Sequence, residues 1–236
     1  CCFCTKDILG KRQRFHSIDR TIKEIKLIKD SGFDSIYFMD DHFTSDKKRT
    51  LELTRRLKKL NITYRISTRT DKVDDEILKA LKDSGCRSIG LGLEHMDNEV
   101  LKASNKNNTV ENHIKAIRLI HKYGIKIRGC FIVNLPRATK KTALRCLKIA
   151  KQENLEYADF YVLVCYPGTP LWNHPEQYKC KINKRYGFNQ TSTISNVDNG
   201  NFGKDNEDLP EFIECIRNDW AKFKESLCPW KAKKDA

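Results

Sequence analysis

A unit of helix, glycine and strand recurs along this chain, and it restricts the fold more than any other feature. Asp30 to Asp41 reads DSGFDSIYFMDD, Asp83 to Glu94 reads DSGCRSIGLGLE, and Tyr123 to Pro136, YGIKIRGCFIVNLP, is a looser third copy. In each copy a glycine (Gly32, Gly85 or Gly124) stands where a helix needs a left-handed residue at its C-terminal end, and an apolar run follows. Between the copies apolar residues recur at helical spacing: Ile18, Ile22, Ile25 and Ile28; Leu53, Leu57 and Leu60; Ile77, Leu78 and Leu81; Val110, Ile114, Ile117 and Ile120. Ser17 and Thr109 are placed to cap the first and last of these helices. Strands over Ile62 to Ser67 and Ala158 to Cys165, and a helix from Thr139 to Glu153, complete the alternation. Strands that alternate with helices through short connections predict an α/β chain whose parallel sheet closes, wholly or partly, into a barrel. Five strands are expected in residues 1–236, and one more upstream of residue 1.

The 236 residues, 39% hydrophobic and 32% charged, are enough for one sizeable core, and the barrel is expected to span residues 1–172. Residues 173–208 are rich in Asn, Lys and Gly with little apolar periodicity, so a long polar loop is expected there, followed by a C-terminal helix and frayed tail over 209–236. No apolar run approaches the ~18 residues of a membrane span, which predicts a soluble, cytoplasmic protein with no membrane partner. Ten cysteines are scattered rather than clustered, and Cys86, Cys130 and Cys165 sit in strand-like runs, as reduced thiols do. The net charge of +14 raises the question of nucleic acid. Its cations, such as Lys47, Lys48, Arg55, Arg56, Lys58 and Lys59, occupy polar positions around Leu53, Leu57 and Leu60, with no aromatic platform among them. That is the pattern of a solvated helix face, and no nucleic-acid partner is read from it.

In a parallel barrel the chemistry collects at the C-terminal ends of the strands. Those ends carry Asp40, Asp41 and His42; Thr68, Arg69 and Asp71; Glu94 and His95; Asn134, Leu135 and Pro136; and Tyr166, Pro167 and Gly168. Acids and a guanidinium on one rim suit a ligand with an amino-acid end, its ammonium meeting Asp or Glu and its carboxylate meeting Arg69. Cys1 and Cys4 open the chain with Phe3 between them. Two thiolates at this spacing grip one edge of a metal or cluster; alone they fit zinc or redox chemistry as well as a cluster. A 4Fe-4S cluster takes at least three, so a first cysteine is expected upstream of residue 1 and the chain is expected to be N-terminally truncated. Plainer roles stand beside these: Asp40 and Asp41 capping the next helix, Arg69 pairing with Asp71, and all six histidines at the surface or at helix ends.

The fragments CxFC, MDDHFT, STRTD, GLGLEHM, IRGCFIVNLP and CYPGTPLW, in this order from Cys1 to Trp172, resemble the radical S-adenosylmethionine superfamily. The branch most similar often carries an upstream cobalamin-binding domain. The resemblance implies a partial six-stranded β/α barrel of the TIM-like kind, a 4Fe-4S cluster, S-adenosylmethionine and, in this branch, cobalamin from an upstream domain. It implies a 5'-deoxyadenosyl radical that abstracts hydrogen or supports methyl transfer on a small-molecule substrate, with an electron donor such as flavodoxin or ferredoxin. Residue by residue, it places Cys1 and Cys4 as cluster ligands and Phe3 beside the cluster. Asp40 and Asp41 fall at the cofactor's amino group, Arg69 and Glu94 on the rim near its methionine or ribose, and Val133 on the strand that backs adenine. The chain departs from the pattern at Asn134, Arg137 and Ala138, where relatives commonly carry Gly, Gly and Glu. Two rival readings are a catalytically incompetent basic scaffold and a methylthiotransferase-like enzyme of transfer RNA.

Overall fold

The computed structural model describes residues 1–7, 10, 13–183 and 195–227. The expected tail beyond 227 and the middle of the expected polar loop lie outside the described residues.

Helix and strand alternate through α1 (Ile18–Asp30), β1 (Ser35–Tyr37), α2 (Lys47–Leu57), β2 (Thr63–Thr68), α3 (Asp75–Asp83), β3 (Cys86–Glu94), α4 (Asn98–Ala103), α5 (Val110–Lys122), β4 (Lys126–Ile132), α6 (Lys140–Gln152) and β5 (Tyr157–Tyr161). The five strands are parallel in the order β1-β2-β3-β4-β5 and form a curled half-barrel. Local chemistry sets the boundaries. Ser17 accepts from the Arg20 amide at 3.2 Å and Thr109 from the Asn112 amide at 3.3 Å, as the sequence predicts. The repeat glycines Gly32, Gly85 and Gly124 have φ of 91°, 103° and 60°. Gly85 is the most constrained, since a Cβ there would lie 2.2 Å from the Ile62 carbonyl oxygen.

Strand alternation gives the sheet two unlike faces. Tyr64, Ile66, Ile89, Leu91, Leu93, Ile127, Phe131 and Phe160 point outward and are buried under the helices with Ile22, Ile25, Leu53, Leu57, Leu78, Leu81, Ile117 and Ile120. Ile28 falls off this stripe and is exposed, because the first helix covers the sheet only along Ile22 and Ile25. The inward positions, among them Tyr37, Arg65, Ser67, Ser88, Gly90, Gly92, Lys126, Arg128 and Tyr161, line an open cavity of about 2020 Å³.

After β5 come α7 (Pro170–Asn173), a short antiparallel pair of β6 (Lys181–Ile182) with β7 (Val197–Asp198), and α8 (Leu209–Ser226). Helix α8 buries Ile213, Ile216 and Trp220 in the main core. Strand β5 stops at Tyr161, short of the expected Cys165. Beyond it the backbone is held by amide side chains instead of a ladder: Asn134 accepts from the Leu163 amide at 2.6 Å, and Asn196 both accepts from and donates to the Cys165 backbone at 2.8 Å. Residues 195–199, expected within a polar loop, are accordingly mostly buried.

Candidate active site

Two thiols reach the cavity because the one between them is pulled away. The Cys2 amide donates to the Ser104 carbonyl, at the end of α4, at 2.9 Å, and the Leu171 amide of α7 donates to the Cys2 carbonyl at 2.9 Å. Its side chain is 1% exposed and packs with Leu135, Leu163, Cys165 and Leu171 in a satellite core. Burial pushes the Cys2 thiol up to about 12, so it stays protonated. Cys1 and Cys4, closed into a turn by the Cys4 amide on the Cys1 carbonyl at 3.2 Å, are half-buried and line the cavity with Phe3. Cys130 of β4 lines it too, but burial and the nearby Asp159 and Glu94 raise that thiol to about 11. Among the described residues no group of three His, Cys, Asp or Glu could hold a metal. Cys1 and Cys4 share the cavity edge at a spacing that suits two of the three thiolates a cluster needs, and the described residues bring no third beside them.

Glu94 is turned into the cavity by its backbone. The β3–β4 register shifts between Gly92 and Glu94, and Glu94 has φ of 66°. A bulge followed by a left-handed non-glycine residue is a strained arrangement that re-aims a side chain. Glu94 Oε1 accepts from Lys106 Nζ at 3.1 Å, and Lys106 also donates to the Gly92 carbonyl at 2.9 Å. Their side chains are only 16% and 5% exposed, so this is a buried ion pair at the rim. Gly92 makes room for it, as a Cβ there would lie 2.9 Å from Glu94 Oε1. Sequence reasoning missed Lys106, one lysine among many in a polar stretch; only the fold-back of the chain after α4 distinguishes it.

Arg69 forms a two-pronged pair with Asp71, at 2.8 and 3.0 Å, and still borders the cavity. Burial works to raise the Asp71 carboxyl, but the Arg69 hydrogen bonds and charge prevail and hold it below the ordinary range. Asp40 and Asp41 are exposed on the same rim. Asp41 pairs with Lys6 at 3.6 Å, and neither acid caps α2, whose N-cap is Asp46. Val133 is fully buried in the core behind the sheet, so its neighbour Ile132 presents the cavity side chain. Seven of the eight candidate positions thus converge on one cavity, and Val133 backs it.

Two histidines depart from the surface placement expected for them: His95 and His113 are 0% exposed. Neither ring nitrogen of His95 has a hydrogen-bond partner among the described residues, and burial lowers its imidazole to about 4. His113, lowered to about 4 by burial and then by Lys106, pairs through Nδ1 with Thr70 Oγ1 at 2.8 Å, and Asn108 donates to the same hydroxyl at 2.6 Å. This network fixes the turn that carries Arg69. His42 lines the cavity, and burial, then Lys6 and Arg69, lower its imidazole and favour the neutral form.

A parallel half-barrel that gathers thiols, acids and a guanidinium on one rim belongs to the class of barrel enzymes whose chemistry sits at the C-terminal ends of the strands. Residues 1–150 match the family model of the radical SAM superfamily, and the chain belongs to that superfamily. Over 178 residues it is 33% identical to an uncharacterised methyltransferase of Pyrococcus horikoshii, covering 74% of this chain and 39% of that protein. Bacteriochlorophyllide d C-12(1)-methyltransferase of Chlorobaculum tepidum is 27% identical over 178 residues, 73% of this chain and 39% of the relative. The chain thus spans about two-fifths of the length of these curated relatives. Among solved structures, the radical S-adenosylmethionine methyltransferase TsrM of Kitasatospora setae, with cobalamin and a 4Fe-4S cluster bound, superimposes with a TM-score of 0.63 at 18% identity, over 69% of this chain and 32% of that one. No helix among the described residues is long and apolar enough to cross a membrane.

Proposed function

We propose that this chain is the radical-generating part of an S-adenosylmethionine enzyme of the methyltransferase type, acting on a small molecule in a cytoplasmic setting and reduced by a flavodoxin or ferredoxin. The observation that carries the reading is the convergence of Cys1, Phe3, Cys4, Asp40, Asp41, Arg69 and Glu94 on one cavity at the strand ends. Cys1 and Cys4 are the proposed cluster ligands. When bound, the cluster supplies the electron that cleaves the sulfonium of S-adenosylmethionine.

Every other task falls to the chain itself. Cys2 is the protonated anchor that sets the loop, held by Ser104 and Leu171. Glu94, fixed through Oε1 by Lys106, offers its other oxygen to a donor on the cofactor, and Asp40 and Asp41 attract the ammonium. Arg69, steadied by Asp71, meets the carboxylate. Phe3 and Ile132 supply apolar wall. Val133 contributes through the strand backbone behind them. Cobalamin is proposed as the methyl carrier because the relatives are named as methyltransferases and the TsrM structure holds cobalamin, and no residue of this chain is assigned to it.

The test uses the protein from its complete reading frame, reconstituted without oxygen with iron and sulfide, then given dithionite and S-adenosylmethionine. A cluster absorption band and 5'-deoxyadenosine are expected, both lost in Cys4→Ala, and Glu94→Gln is expected to raise the KM for S-adenosylmethionine by about tenfold. Absence of both band and nucleoside from the unaltered protein overturns the reading.

A further inference from the structure

Below the rim, the inner face of the sheet is composed for a ligand rather than for packing. Parallel sheets are ordinarily covered on both faces. Among the described residues only the outer face is, and the inner one opens on a cavity of about 2020 Å³. Pockets for one small molecule run to ~300–1000 Å³, so a second molecule fits beneath a cofactor at the rim.

The charges on that face do not balance. Arg128 is matched by Asp159 and Lys106 by Glu94. Arg65, Arg87 and Lys126 line the same cavity, and none has an ion-pair partner among the described residues. Cations on an outer helix face radiate into water, whereas cations on one concave wall add their fields and draw an anion in. Two of them are placed as a bracket. The register pairs Arg65 with Ser88 and Ser88 with Lys126, so the cations flank a small residue two strand spacings apart, roughly 10 Å between backbones. Arg65 is held in position, its guanidinium 4.1 Å from the centroid of the Tyr37 ring, and Tyr37 is tied to Ser67 at 3.1 Å. Tyr157 and Tyr161 line the opposite wall.

We propose that the substrate is an elongated organic oxyanion, a carboxylate or a phosphate ester, whose charged end is held by Arg65 and Lys126 across Ser88 while its apolar body lies against Tyr37, Tyr157 and Tyr161. Arg69 at the rim lies four positions beyond Arg65. At about 3.3 Å per residue the anion sits roughly 13 Å below the cofactor, which makes it the anchoring end of the substrate and not the reacting one. The inference rests on the proposed function in taking the rim as the cofactor site.

Its test needs neither cluster nor cofactor. The protein, free of iron and S-adenosylmethionine at low salt, is titrated with phenylbutyrate, phenylbutyl phosphate and the uncharged phenylbutanol, with binding followed by saturation-transfer NMR. One or both anions are expected to bind at least about tenfold more tightly than the alcohol, and the tighter anion tells a carboxylic acid from a phosphate ester. Arg65→Gln and Lys126→Gln are expected to weaken the anions by about tenfold, leave the alcohol unchanged and keep the native circular dichroism, whereas the outer-face control Lys48→Gln changes nothing. Equal binding of anion and alcohol, an anion affinity unmoved by both inner-face substitutions, or no binding of any probe below about 10 mM overturns the proposal. Because deoxyadenosine formation is measured separately, failure of the radical reading and failure of the anion site are told apart.

Discussion

Lys106 and Glu94 form the pair on which the rim depends, and they are unequal partners. Lys106 is the more deeply buried, so removing its charge strands a carboxylate on a bulged, left-handed backbone. Lys106→Met is expected to lower unfolding stability by about 3 kcal/mol in urea titration, and the double change with Glu94→Leu to recover much of it, as buried pairs replaced together are far less costly than pairs broken. A double variant as unstable as Lys106→Met alone would show that the pair is not the cause. At this scale the sequence was legible for one partner only. Glu94 ends an apolar run, where an acid calls for an explanation. Lys106 sits among Asn105, Asn107 and Asn108 with nothing local to mark it, because its partner is brought to it by the turn after α4.

The elements were legible wherever their own periodicity and caps decide them. Helices α1, α3, α5 and α6 lie where apolar spacing and Ser17, Thr109 and Gly85 place them. What escaped was structure made of side-chain amides. Asn199 Nδ2 donates to the Leu135 and Ala138 carbonyls at 2.8 and 3.0 Å, and Asn134 donates to Ser195 at 2.9 Å. An asparagine-rich segment reads as a loop by composition, since no local rule says which amide will satisfy a distant strand end. Asn199→Ala is expected to cost about 2 kcal/mol. Asn199→Asp, nearly the same shape, is expected to cost more, since it aims a carboxylate at two carbonyl oxygens. Thermal melts of the two variants give the order, and the reverse order would mean that Asn199 acts by packing alone.

For the whole molecule, the parallel sheet followed from the repeat, but the division of the histidines did not, because burial is decided by which helices meet. His95 and His113 are held neutral, with imidazoles lowered to about 4 in the folded state. In the unfolded chain they protonate near ~6.5. Their contribution is therefore fully present above that pH and is lost as pH falls toward about 4, at up to ~1.4 kcal/mol per pH unit for each. Urea titrations between these limits are expected to show this decline, with His95→Leu roughly halving its slope; an unchanged slope in that variant would return His95 to the titrating surface. The one-sided sheet has a last consequence, which concerns descent rather than stability. Folding energy is drawn from the outer face, where exchange of a residue such as Phe131 disrupts the core, while Arg65 and Tyr161 on the inner face are exposed and cheap to replace. A lineage built this way can trade one substrate for another through inner-wall changes without first gaining stability to spend, which makes the same scaffold reusable across chemically unrelated tasks.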